Sequence, residues 1–352
     1  MEIIILGVLL HFIGGFASGS FYIPYKKVRG WAWESYWITG GLVSWLIVPL
    51  IAAQLTVPGW VDILRQADTS TLTWTYLFGV LWGIGGLTFG LTMRYLGLSL
   101  GMSLIMGLTS ALGALMPPLY RDLFTNDSTG TLSAMCTNLG GQCVLIGVAV
   151  SLIGIALCGR AGFIKEREVP DSTKFQSVTE FALGKGLLVA VISGVLSASF
   201  SYGITAGRPL AAAAVEHGAN SLFQNNVTFM VIMWGGLTTN GLWCLWLNWR
   251  NKTFHNYRDR STPLLANYLL VACAGTLWFL QFFFYGMGES RLHNDASSWV
   301  LHMSFIIIVS NVWGLYFKEW QGTSTTTKGV LLAGILVILA AITLVGYGNY
   351  LS

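Results

Sequence analysis

Runs of about twenty apolar residues recur from one end of this chain to the other, each long enough for an α-helix to cross about 30 Å of hydrocarbon. In lipid, such a helix satisfies its own backbone polar groups, so the pattern points to an all-α polytopic membrane protein. The runs predict about ten transmembrane helices, at 3–24, 35–57, 72–93, 97–118, 139–159, 184–205, 222–248, 264–286, 297–317 and 327–350. Trp31, Trp33, Tyr36 and Trp37, then Trp246 and Trp249, then Trp320 stand at run ends, where amphipathic rings meet the interface. Only 10% of the 352 residues are charged, far below the roughly 25% of a soluble domain. The net charge of +4 therefore carries no argument for nucleic acid. The five cysteines show no C-x-x-C or His-paired spacing, so neither a metal site nor a disulfide framework is expected. The first run has no basic segment before it, and Glu2 precedes it directly, so it reads as a retained helix and not as a cleaved signal.

The positive charges orient the helices. Alternate loops hold fifteen of the nineteen Lys and Arg residues, in five groups around Lys26, Arg94, Lys165, Arg250 and Lys318. The other loops hold only Arg65, Arg121, Arg208 and Arg291. By the positive-inside rule the rich loops are cytoplasmic and both termini are non-cytoplasmic. The longest polar stretch, 161–183, reads as a cytoplasmic linker between a first five-helix unit, 1–160, and a second, 184–352.

The halves echo each other. At an offset of 179, Gly7, Leu9, Ile13, Gly15, Ser18, Ser20 and Phe21 match Gly186, Leu188, Ile192, Gly194, Ser197, Ser199 and Phe200. Helices five and ten share five positions at an offset of 187, from Gly147/Gly334 to Gly159/Gly346. Helices four and nine share Met102/Met303, Ser103/Ser304, Ile105/Ile306 and Gly113/Gly314 at an offset of 201. Five is odd, so the second half inserts upside-down: two inverted five-helix repeats, a plan of secondary transporters with the substrate near the midplane. No G-x-x-x-x-G-K-[ST] phosphate loop is present, and no cofactor is expected.

Five strings, "FYIPYKKVRGWAWES" (21–35), "WGIGGLTFGLTMRYLGLSLG" (82–101), "WFLQFFFYGMG" (278–288), "SWVLHMSF" (298–305) and "KEW" (318–320), closely resemble the L-rhamnose–proton symporters of the drug/metabolite transporter superfamily. The likeness runs nearly the full length and departs in "RDLFTNDSTGTLSAMCTNLGGQ" and "ESRLHNDAS". It implies a multi-pass carrier of the bacterial inner membrane that takes up L-rhamnose with protons. The alternatives are a carrier for another deoxy-sugar or small metabolite, or an exporter of the same superfamily. A membrane-embedded enzyme would need a clustered catalytic set that the sequence lacks.

No Asp or Glu lies in the middle of a predicted span, so a coupling proton falls to a histidine or an interfacial acid: His11, His302, Glu34, Glu289, Asp295 or Glu319. His11 and His302 lie at membrane depth, where ionisable side chains are costly and functional. They are the candidate proton-coupling pair; the plainer reading is a neutral ring hydrogen-bonded to a neighbouring helix. Gln281, Trp82, Trp278, Tyr285 and Asn311 are the candidate substrate ligands: amides suit sugar hydroxyls, and rings suit the apolar face of a deoxy-sugar. Asn311 stands nine residues after His302, so the two do not share a helix face. Glu34, Arg94, Lys318 and Glu319 fall at cytoplasmic helix ends, as an ion-paired gate or as a solvated rim.

Overall fold

Every long apolar run becomes a helix in the computed structural model, which describes residues 2–96, 98–124, 130–168, 183–292 and 294–351. The long helices are α1 (Glu2–Ser20, followed by a turn at Tyr22–Tyr25), α2 (Trp33–Thr56), α3 (Thr69–Leu96), α4 (Leu98–Phe124) and α5 (Leu139–Glu168). After residues 169–182, which lie outside the described ones, come α6 (Leu183–Ala206), α7 (Asn226–Asn251), α8 (Leu264–Leu292), α9 (Asp295–Tyr316) and α10 (Thr325–Leu351). Among the described residues, eight segments are long and apolar enough to cross a membrane. The other two long helices, α4 and α7, run for 27 and 26 residues.

Several helices outrun their apolar runs. α8 continues to Leu292, six residues past the expected end, and carries Glu289 and Arg291 in its last turns. α4 passes through Pro117 and Pro118 to Phe124. α5 continues to Glu168, so the expected linker begins as helix and most of it lies outside the described residues. Lys165 and Arg167 suit the negative end of that helix. Glu168 accepts hydrogen bonds from the Ser324 amide (2.8 Å) and hydroxyl (2.7 Å), which hold its carboxyl below the usual range and tie α5 to the start of α10. In α2, Pro49 cannot donate to a carbonyl four residues back, and Val43–Ile47 just before it is a π-helical turn that absorbs the mismatch.

α1 turns large apolar side chains outward and small and polar ones inward. On α1, Ile5, Leu9, Phe12 and Phe16 are exposed, whereas His11, Gly14, Gly15 and Ser18 are buried. This is the pattern of a bundle solvated by lipid, where small residues let backbones approach and buried hydroxyls bond across helices. Ser193 donates to the Gly85 carbonyl (2.9 Å), Ser201 to that of Gly113 (2.8 Å), and Ser151 bonds Ser304 (3.0 Å). α5 packs along α10, α1 against α8 and α9, and α6 against α3 and α4. α7 lies on α3, α8 on α2, and α4 bridges to α5 and α9. The central cluster includes Trp45, Phe200, Phe229, Phe282, Tyr285 and Trp299.

Candidate functional site

One stripe of α8 organises the interior. Trp278, Phe282, Tyr285 and Glu289 follow at spacings of four, three and four residues, which keeps them on one helix face over about 16 Å.

At one end of the stripe is an aromatic cage. The indoles of Trp82 and Trp278 lie near-parallel, 21° apart in plane, with centroids at 6.5 Å. Phe282 stands edge-on to both, Phe21 packs on Trp278 at 4.4 Å, and Phe200 stacks on Phe282 at 4.2 Å. The Trp278 indole N–H is buried without a hydrogen-bond partner. Trp37 points its own N–H at Asn240 Oδ1 (3.1 Å), and Asn240 Nδ2 donates in turn to the Gly236 carbonyl (3.0 Å). Trp82 is seated on Gly236, where a Cβ would fall 2.6 Å from the ring.

One and two turns further along are the histidines. His11 of α1 and His302 of α9 are fully buried, with ring centroids 6.2 Å apart. Tyr285 stands edge-on to each ring at 5.3 Å. All four imidazole nitrogens lack a hydrogen-bond partner. Glycines bring the rings in: a Cβ at Gly14 would meet the Gln281 carbonyl at 2.9 Å and His302 at 3.3 Å, and one at Gly288 would meet His11 at 2.8 Å. Gln281 is buried and donates to the Trp278 carbonyl (2.9 Å), which leaves its amide oxygen as an acceptor between cage and histidines.

Asn311 is not brought to this place. It is half-buried, and its Nδ2 is committed to the Ile307 carbonyl one turn back (2.9 Å). Of the gate candidates, Glu34, Lys318 and Glu319 form no ion pair with one another among the described residues. Glu34 is buried and accepts from Asn251 Nδ2 (3.0 Å) and Thr253 Oγ1 (2.9 Å). Glu319 pairs with Lys26 at 3.0 Å, with both side chains nearly half exposed. Lys318 is exposed, in a left-handed conformation (φ 58°). The side chain of Arg94 lies outside the described residues. Because exposed pairs gain little, a double-mutant cycle on Lys26→Ala and Glu319→Ala should give a coupling below about 1 kcal/mol in thermal unfolding. A clearly larger value would make this pair a latch.

Reading by residue type offers Asn240, like Asn225, Asn226 and Asn311, as an amide for sugar hydroxyls and places Trp37 at the interface; it does not single out Phe282 or Phe200. The period of α8 was the available signal for Phe282, since it lies between Trp278 and Tyr285 on the same face. The tie from Trp37 to Asn240 joins residues 203 apart and leaves no local trace.

This arrangement defines a class: a polytopic helical membrane protein whose interior pairs an aromatic cage with buried, unpartnered ionisable groups. The chain belongs to the L-rhamnose-proton symport protein (RhaT) family, whose model matches residues 1–350. It is 39% identical over 350 residues to the L-rhamnose-proton symporter of Cronobacter sakazakii (strain ATCC BAA-894), covering 98% of each chain. It is 38% identical to that of Yersinia pestis (strain Pestoides F), again over 98% of each. A solved protein described only as "Crystal structure of protein" has the same fold, with a TM-score of 0.51, 14% identity and 96% of each chain covered.

Proposed function

We infer that this protein takes up L-rhamnose with protons across the bacterial inner membrane, by alternating access between two inverted five-helix units, 1–160 and 184–352. It is a carrier and not an enzyme. The observation that carries the reading is the buried His11–His302 pair, without partners, about two turns of α8 from the cage of Trp82 and Trp278. The relatives' names supply the substrate pair: a deoxy-sugar and a proton.

All ten long helices cross the bilayer in this reading, with both termini outside as the Lys and Arg residues dictate. Support for the repeat comes from packing. Helix one on helices eight and nine is matched by helix six on helices three and four, while helix five on helix ten is its own mate. Gly15 of α1 meets Phe305 of α9, and Gly194, its repeat mate, meets Leu108 of α4. The sugar's apolar face lies against the indoles, its hydroxyls meet Gln281 and the Trp278 N–H, and the histidines hold the proton. Proton and sugar bias one conformational equilibrium, which is what coupling requires. The cytoplasmic ends are held by the network of Glu34 with Asn251 and Thr253, while the Lys26–Glu319 pair is a solvated rim contact.

The test is an L-rhamnose pulse to cells or vesicles. Alkalinisation outside should accompany uptake, and sugar entry with no proton movement would reject symport. Gln281→Ala should raise the half-saturation concentration about tenfold, as expected for one lost hydrogen bond of about 1.4 kcal/mol. An unchanged value would remove Gln281 from the site.

A further inference from the structure

We propose that Glu289 is the carboxyl that takes the coupling proton from the outer side and passes it toward the His11–His302 pair. The proposal rests on the symport reading above and adds a residue to it.

Two acids stand at the far end of the α8 stripe, and their partners differ. Asp295, the first residue of α9, is gripped by Arg121 of α4 (2.9 Å) and Arg208 after α6 (2.6 Å). Arg121 also donates to the Gly130 carbonyl through Nε (3.0 Å) and Nη2 (2.7 Å). These contacts hold Asp295 between an arginine of each half of the chain. Glu289 makes no direct ion pair among the described residues; its Oε2 accepts from Asn225 Nδ2 at 2.6 Å. It lies within electrostatic reach of Asp295 and Arg208. Like charges placed close together are costly to keep ionised together, and here the cations belong to Asp295.

Position separates Glu289 from an ordinary helix-end acid. It is half-buried, and the residue before it, Gly288, is where the His11 ring packs against α8. One turn back is Tyr285, which touches both imidazoles. The buried rings with unpartnered nitrogens thus pack on the turns of α8 that lead to Glu289, and Asp295 lines a cleft with Pro118, Arg121, Met135, Arg208 and Asn294. The proton added to the Glu289 carboxylate comes from external water and leaves toward the histidines, so one proton moves per carboxyl cycle. The other titratable or charged groups facing this place are Asp295 and His302 from α9, Arg121 from α4, Arg208, His11 from α1, and Tyr285 and Arg291 from α8 itself.

Glu289→Gln keeps the size and the acceptor for Asn225 while removing the exchangeable proton. The full-length chain in proteoliposomes should then lose uphill L-rhamnose accumulation and retain counterflow of labelled sugar. The counterflow rate should no longer vary with external pH, and Glu289→Asp should restore accumulation. Wild-type accumulation in E289Q, a surviving pH dependence of its counterflow, or loss of counterflow together with accumulation would each overturn the assignment. Failure of the unmodified protein to take up protons with the sugar would count against the symport reading itself. Proton uptake persisting in E289Q counts against Glu289 alone.

Discussion

Replacing His302 by alanine is expected to end uphill sugar accumulation while leaving the protein folded, and His11→Ala should do the same. One proton crossing about 100 mV carries about 2.3 kcal/mol, which sustains a roughly fifty-fold gradient; an uncoupled variant should fall to a ratio of about one. The fold should survive because neither imidazole makes a hydrogen bond that removal would break. A buried polar atom without a partner costs about 1–3 kcal/mol, so truncation relieves a penalty that offsets the cavity it leaves. A histidine kept for structure behaves in the opposite way: its loss orphans a partner and lowers stability. Transport and thermal unfolding of the two single variants and the double therefore separate the readings. The double should be no worse than either single, since two members of one relay fail as a unit. Undiminished accumulation in all three would return both rings to packing.

The helices were legible because lipid imposes one rule along the whole chain: apolar residues for about 30 Å, charges outside. Ends were less legible, because a helix does not stop where hydropathy does. α8 runs on to Leu292 because nothing in "MGESRL" breaks a helix, and that extension puts Glu289 on the same face as Tyr285. The histidines stood out as polar rings in apolar runs. Their meeting could not be read from sequence, since residues 11 and 302 come together only through Gly14, Gly288 and the crossing of α1 with α8 and α9. Chemistry at helix ends was read less sharply. Glu34 and Glu319 attract attention as charges, yet Glu34 is satisfied by Asn251 and Thr253, whose roles depend on how the chain turns after α7. Asn311 has the right chemistry for a sugar, but a helix carbonyl one turn away competes for its amide.

Gly79→Ala should be among the most damaging single-methyl changes in the molecule, for reasons of backbone contact and not of conformational freedom. A Cβ there would fall 2.1 Å from the Ile232 carbonyl oxygen and 2.8 Å from its carbon. From the other side, a Cβ at Gly235 would fall 2.3 Å from the Tyr76 carbonyl oxygen. Helices α3 and α7 thus touch main chain to main chain, and no flexible side-chain tip can move aside. Overpacking of this kind costs about 1–3 kcal/mol or more, and relief comes only by parting the helices. Parting them has a second consequence, because Trp82 is seated on Gly236 and would move with α3 away from Trp278. Gly79→Ala should therefore lower thermal stability and raise the half-saturation concentration for the sugar together. Gly86→Ala, on the same helix with nothing within 4 Å of its Cβ, supplies the comparison and should be neutral or stabilising by up to about 1 kcal/mol. The Gly79→Ala, Gly235→Ala double variant should lose less than the two singles combined, since helices already apart have room for the second methyl. If Gly79→Ala behaves like Gly86→Ala in both measurements, the close crossing does not hold the cage.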